Sequence, residues 1–114
     1  MSNLRRVGAD GEDRAAEYLI AKGYTIITRR YTVRGGEIDL IALDGETLVF
    51  IEVKERRASG LVPEEAVGAE KVQRMIRAAE RFRADYENQR GIRFDLIAID
   101  PNGIRHYEGC YGTP

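Results

Sequence analysis

Asp39 precedes Glu52 by thirteen positions and Lys54 follows Glu52 by two, with Glu37 a further acid just upstream. Carboxylate oxygens are the ligands that hard divalent cations prefer, so the chemistry this set could support starts from a bound Mg²⁺. The set is useful only if it converges, which depends on the strands that carry it. Glu37 to Leu43 and Thr47 to Lys54 are both rich in branched residues, and Asp44-Gly45 between them is a tight-turn signal. A two-residue loop at Asp44-Gly45 would set Glu37 opposite Glu52, whereas a four-residue loop, Asp44 to Thr47, would set Asp39 directly opposite Glu52. Side chains alternate faces along a strand, so either register predicts Glu37, Asp39, Glu52 and Lys54 on one face.

That shared face carries a surplus of negative charge, three acids against one lysine. Two opposed carboxylates at about 5 Å repel by roughly 3 kcal/mol at an effective dielectric near 20. A divalent cation would relieve the repulsion. The plainer alternative is a solvated polar end of a hairpin face. Against it, Ile41, Leu43, Leu48 and Phe50 continue the same face and are apolar, which puts the acids at the rim of a buried surface.

The elements around this hairpin follow from periodicity. Asp10-Gly11-Glu12-Asp13 reads as a helix start with an N-cap and an acidic first turn, and Leu4 and Val7 could extend it backwards. Ala15, Ala16, Leu19 and Ile20 supply its apolar face, and Lys22-Gly23 marks its end. Tyr24 to Tyr31 reads as a first strand, with Gly35-Gly36 as the tight turn into the hairpin. Ser59-Gly60 and Pro63 end the strand region, and Glu64 to about Asn88 predicts a long helix with Val67, Val72, Met75, Ile76, Ala79 and Phe82 inward. Ile92 to Ile99 is a strong strand, Asp100 to Gly103 a turn, and Ile104 to Tyr107 a short last strand. The expectation is an α/β fold in the order αβββαββ, a mixed sheet of about five strands with two helices on one side or on both.

Composition narrows the classes. A chain of 114 residues is read as one domain, 1–114. The net charge of −1 argues mildly against binding nucleic acid through broad charge, although a metal site built from acids lowers the balance by itself. One cysteine, Cys110, excludes an intramolecular disulfide. No apolar run is long enough to span a bilayer and none looks like a signal peptide, so a cytoplasmic protein with no membrane partner is expected.

Several stretches together carry a resemblance: Gly8-x-x-Gly11-Glu12-x-x-Ala15, Gly23-Tyr24, Gly36-Glu37-Ile38-Asp39-Leu40-Ile41, Val49-Phe50-Ile51-Glu52-Val53-Lys54, Ala66-Val67 with Lys71, and Arg93-Phe94-Asp95. The chain resembles the PD-(D/E)XK restriction-endonuclease-like superfamily. More narrowly, almost all of it resembles the bacterial YraN-type family of small predicted endonucleases, with archaeal Holliday-junction resolvases as more distant relatives. The resemblance implies a restriction-endonuclease-like core and a metal-dependent nuclease that hydrolyses DNA phosphodiester bonds, with structured or branched DNA suggested by the resolvases alone. It implies Asp39 and Glu52 as ligands of Mg²⁺ (or Mn²⁺), Glu12 as the acid that completes the shell, and Lys54 as the cation that orients water or offsets charge. Related nucleases that cut both strands are often dimers, so a homodimer is an expectation of the resemblance only. Two departures stand out: Arg30 occupies a position where Asn is expected, and Glu55-Arg56-Arg57 carries one more acid after the lysine than expected.

Other residues have competing readings. Glu12 in a first helical turn would complement the helix dipole with or without metal. Lys71, Arg74, Arg77 and Arg81 recur at helical spacing as a basic ridge, which is either a solvated face balanced by Glu70, Glu80 and Asp85 or a phosphate-binding surface. With DNA as partner, Arg34, Arg56, Arg57 and Lys71 are the expected backbone contacts. Tyr31, Tyr107 and Tyr111 could stack on bases, a weak signal. His106, the single histidine, is expected to be structural and without a partner nearby. The alternatives to the nuclease are a nucleic-acid-binding module that keeps the fold without cutting, and an adaptor whose acids are merely solvated.

Overall fold

A computed structural model of the chain describes residues 6–56, 68–86 and 91–111, with the backbone only for 6–9. The described residues form α1 (Arg6–Ala21), β1 (Thr25–Val33), β2 (Gly36–Asp44), β3 (Thr47–Glu55), α2 (Ala69–Asp85), β4 (Gly91–Asp100) and β5 (Gly103–Tyr107). This is the αβββαββ order, built on one mixed five-stranded sheet in the spatial order β1-β2-β3-β4-β5. All neighbours are antiparallel except β3 and β4, whose parallel pairing requires the crossover that contains α2.

The helices lie on opposite faces. Ala15, Ala16 and Leu19 of α1 pack with Leu40, Ala42, Val49, Ile51, Ile97 and Ile99. Met75, Ala78 and Ala79 of α2 pack with Ile38, Ile41, Leu48, Phe50 and Phe94. The expected inward face of α2 holds for Met75 and Ala79, with Ile76 and Phe82 packed at its margin. Val67, and the proposed start of that helix at Glu64, lie outside the described residues.

Two expectations are corrected. α1 already includes Arg6, so Asp10 lies inside the helix and does not cap it; the backward extension holds at Val7, and Leu4 lies outside the described residues. Glu12 therefore sits in the second turn, beyond the reach of a dipole effect that fades within the first. The alternation predicted along β2 also fails. Leu40 and Ala42 face α1, yet Ile38 faces α2.

The cause is a break centred on Asp39. The β1–β2 ladder passes from Arg29↔Leu40 to Tyr31↔Ile38 and skips the pair between them, and the β2–β3 ladder stops at Leu40↔Ile51. Arg30, opposite Asp39, has φ of 53°, a left-handed conformation that costs a residue with a Cβ about 1–2 kcal/mol. Asn adopts it more readily, which gives a backbone reason why Asn was expected there.

The β2–β3 register itself is resolved: Leu43 pairs with Leu48 and Asp44 with Thr47. Continued by one step, it sets Asp39 opposite Glu52. The loop is Gly45-Glu46, with Gly45 left-handed at φ 62°.

Gly35 and Gly36 do different work. Gly35 makes the turn between β1 and β2 at φ 82°. Gly36 lets α2 lie against β2, because a Cβ there would stand 2.5 Å from the Arg74 carbonyl oxygen and 2.8 Å from the Ala78 nitrogen. Backbone cannot yield as a side chain can, so Gly36→Ala should destabilise by about 1–3 kcal/mol or more. At Gly11 the obstacle at 2.7 Å is only the mobile Oε1 of Glu55. Gly11→Ala, which gains about 1 kcal/mol of helix propensity, should therefore be neutral or stabilising. Urea denaturation of both variants checks the contrast, and equal midpoints would contradict it.

Candidate functional site

Where the ladders break, side chains replace the missing strand pairing. The Val53 N–H, which in a continued ladder would face Ile38, donates to Asp39 Oδ2 at 2.8 Å. Glu52, next to it, turns toward the N-terminal end of α2 and is 3% exposed. Lys71 Nζ donates to Glu37 Oε2 at 2.8 Å and stands 3.7 Å from Glu52 Oε1. At that distance the Lys71–Glu52 contact is an ion pair without a hydrogen bond. Glu52 Oε1 is a buried oxygen with no hydrogen-bond partner. From the other face, Glu12 of α1 accepts from Arg30 Nε at 2.8 Å.

The electrostatics tie these groups together. Burial, and then the Asp39 charge, push the Glu52 carboxyl from an ordinary 4.5 up to about 8. Burial also raises Glu12, against the pull of Arg30, and the Asp39 charge adds to the rise. Glu37 moves the other way, held low by its hydrogen bond and charge pairing with Lys71. Burial disfavours the Lys71 ammonium, but Glu37, Glu52 and Asp39 outweigh it and hold its pKa above the ordinary value. Lys54, on the same side of β3 as Glu52, contributes a positive charge that partly offsets the rise at Glu52.

Asp39, Glu52 and Glu12 are thus within electrostatic reach of one another, with Lys54 beside them. They do not form a ready cage: among the described residues, no three His, Cys, Asp or Glu side chains are arranged to hold a metal. Each acid instead has a local partner, Arg30 for Glu12, the Val53 N–H for Asp39, and Lys71 for Glu37 and Glu52. The donor set is nonetheless all carboxylate oxygen and includes one orphaned atom, which suits a hard cation.

The expected backbone contacts scatter. Lys71 sits in the acid cluster, not on an open surface. Arg34 lies at the β1–β2 turn, Arg56 follows β3 and bonds through its backbone N–H to the Ile99 carbonyl at 2.9 Å, and Arg57 lies outside the described residues.

A second charged network was not anticipated. Asp95, fully buried, accepts from Arg93 Nε at 2.9 Å and Nη2 at 3.0 Å, from the Gly109 N–H at 2.9 Å and from His106 Nε2 at 2.8 Å. His106 therefore has partners, contrary to expectation. With Nε2 donating to Asp95, its Nδ1 accepts from Lys22 Nζ at 2.9 Å. The one sequence signal was an Arg-x-Asp pair inside an apolar strand, which must share a face and find company there.

The Glu52 shift has a testable sign. Below its ordinary pKa the carboxyl is protonated whether folded or unfolded, and the full stability is present. As pH rises from about 4.5 toward about 8, the unfolded chain ionises first and stability is lost. Glu52→Gln removes that loss, so its melting temperature should gain on wild type between pH 5 and pH 8, by on the order of 5 °C. Melts across that range check it, and a difference independent of pH would contradict the buried-acid account.

The chain matches the uncharacterised protein family UPF0102 over residues 11–99. It is 48% identical over 99 residues to a UPF0102 protein of Symbiobacterium thermophilum, covering 85% of this chain and 84% of that one. A UPF0102 protein of Persephonella marina is 38% identical over 107 residues, covering 91% of each chain. One from Chlorobaculum tepidum is 45% identical over 109 residues, covering 90% of this chain and 84% of that one. The residues around Asp39 and Glu52 fall inside the matched region, and the chain belongs to the uncharacterised protein family UPF0102.

Proposed function

We propose that this protein is a metal-dependent nuclease of the PD-(D/E)XK kind that hydrolyses DNA phosphodiester bonds, and that UPF0102 corresponds to the YraN-type family it resembles. The observation that carries the reading is the buried Glu52 oxygen without a hydrogen-bond partner, beside Asp39 at the break in the sheet. A carboxylate placed where its own charge is disfavoured is a poor structural element and a good ligand. Asp39 and Glu52 would hold Mg²⁺ or Mn²⁺, with Glu12 joining if it exchanges Arg30 for the ion. The chemistry such an ion supplies is Lewis acidity, which acidifies water and draws charge from phosphate oxygens.

The chain's own residues do the rest. Lys54, on the side of β3 that carries Glu52, orients the attacking water or offsets charge developing on the phosphate. Lys71 keeps Glu52 and Glu37 compatible before loading. Branched or otherwise structured DNA remains the substrate suggested by the resolvase resemblance.

One observation favours a second reading, a nucleic-acid-binding module that does not cut. Arg30 and Lys71 already bring positive charge to Glu12, Glu37 and Glu52, so a protein without metal is partly neutralised.

Two measurements separate the readings. Mg²⁺ or Mn²⁺ at about a hundred times its dissociation constant should stabilise the fold by roughly 3 kcal/mol. Asp39→Asn should remove most of that gain, and an equal response in both proteins would place the ions elsewhere.

Purified protein should cut linear, nicked, flap or four-way DNA in the presence of either metal. Lys54→Ala should abolish cutting by two orders of magnitude or more, on the order expected for a lost charge-stabilising group, with DNA affinity nearly unchanged. Binding without cutting under both metals selects the binding module, and normal cutting by Lys54→Ala refutes the mechanism.

A further inference from the structure

Away from the acids, Val33, Arg34, Arg77 and Arg81 line a cleft of about 320 Å³ between the β1–β2 turn and α2. Arg77 Nε donates to the Gly35 carbonyl at 2.7 Å, which fixes the guanidinium through backbone and leaves its Nη groups without an acceptor among the described residues. No carboxylate among the described residues pairs with Arg34 or Arg77. Among the described residues, the carboxylate paired with Arg81 is that of Asp85, 3.9 Å away and largely exposed. Three guanidiniums around one concavity, one of them held in place, are mutually repulsive unless an anion lies between them. Their forked N–H groups match the oxygens of a phosphate.

The cleft continues a line that starts at the acids. Lys71 touches Glu52 and Glu37, and Arg74 stands 3.8 Å from Glu37, so the first two cations of the α2 ridge are engaged with carboxylates. Arg77 and Arg81, further along the same face, are the ones left for an outside partner. From Lys71 to Arg81 the helix advances about 15 Å, against roughly 3.4 Å of duplex axis per phosphate on one strand.

We propose that the Arg34–Arg77–Arg81 cleft binds a backbone phosphate of the same DNA strand whose reacting phosphate lies at Asp39 and Glu52, about four nucleotides away along the α2 ridge. The inference rests on the nuclease reading and deepens it. It makes the enzyme a reader of strand length, since a fragment too short to reach the cleft forfeits that contact.

The test is fluorescence anisotropy with the full chain in EDTA, using a duplex of about sixteen base pairs and a fragment of about two nucleotides, over a series of salt concentrations. Arg34→Gln with Arg77→Gln should weaken duplex binding about tenfold or more at low salt and lower the log–log salt slope by about one to two. Binding of the short fragment should not change. Arg34→Gln with Arg81→Gln leaves the Arg77–Gly35 bond intact and should act in the same direction, which covers loss of folding in the first variant. Arg83→Gln, roughly 160° round α2 from Arg81 and not part of the cleft lining, should leave the slope near that of wild type.

Wild-type slope and affinity in both double variants would overturn the proposal. So would loss of the arginine-dependent increment on adding inorganic phosphate at millimolar concentration and matched ionic strength, which would assign the cleft to free phosphate. If both double variants bind normally while Lys54→Ala still fails to cut, only the cleft assignment falls. If wild type neither binds nor cuts DNA, the nuclease reading falls and takes this one with it.

Discussion

The Asp39 carboxylate takes the Val53 N–H that a continued strand pairing would have used, and the rest of the candidate site depends on that substitution. A backbone donor at the end of a ladder must find an acceptor, and supplying one from a side chain lets β2 and β3 part without leaving it unsatisfied. Glu52 faces α2 by the same alternation that places Leu48 and Phe50 there, while Val53 packs on the α1 side. On the other flank, Arg30 absorbs the same break by entering the left-handed region, and that places its guanidinium on Glu12. Acids from a helix and two strands are thereby brought near one another at this interruption, which is separate from the register shift between Ile26 and Thr28 at the other end of the β1–β2 pairing.

The arrangement is stable only because cations come from elements that the acids do not occupy. Lys71 comes from α2 and Arg30 from β1, on the two faces of the sheet. Neither relieves the strain fully, since Glu52 keeps an orphaned oxygen and a raised pKa. A protein selected for stability alone would fill this position with an apolar side chain, as it does at Phe50 on the same face one alternation earlier. Retaining the acid costs stability, which is the usual mark of a position kept for what it binds.

Much of this was legible from pattern. The αβββαββ order followed from periodicity and turn residues, and the apolar face of Ile41, Leu43, Leu48 and Phe50 is the one α2 covers. The resolved register is the one that pairs Leu43 with Leu48, one of the two that Asp44-Gly45 allowed. What pattern could not supply lay in contacts between distant segments. Strict alternation has no term for a left-handed residue in a neighbouring strand, so it misplaced Ile38. Asp10 is a good cap by type, yet the helix runs through it, which is the backward extension that Val7 allows. Lys71 was read as a surface cation because its partners, Glu37 and Glu52, are close only after folding.

Asp95 and Glu52 show why burial of an acid is not by itself a functional signal. Both are almost wholly removed from solvent and both sit in apolar strands. Asp95 receives four hydrogen bonds, and despite the burial that would raise it, His106, Arg93 and the Gly109 N–H bring its pKa below the ordinary value. Its charge is fully answered by protein groups, so it ties β4, β5 and the segment after β5 together and has nothing left to offer a ligand. Glu52 has a lysine at ion-pair distance, another carboxylate nearby and an oxygen with no donor, and its pKa moves up instead. The difference lies in how completely each charge is satisfied. By that criterion the network around Asp95 belongs to the scaffold, and the pair Asp39 and Glu52 is where an external cation has most to contribute.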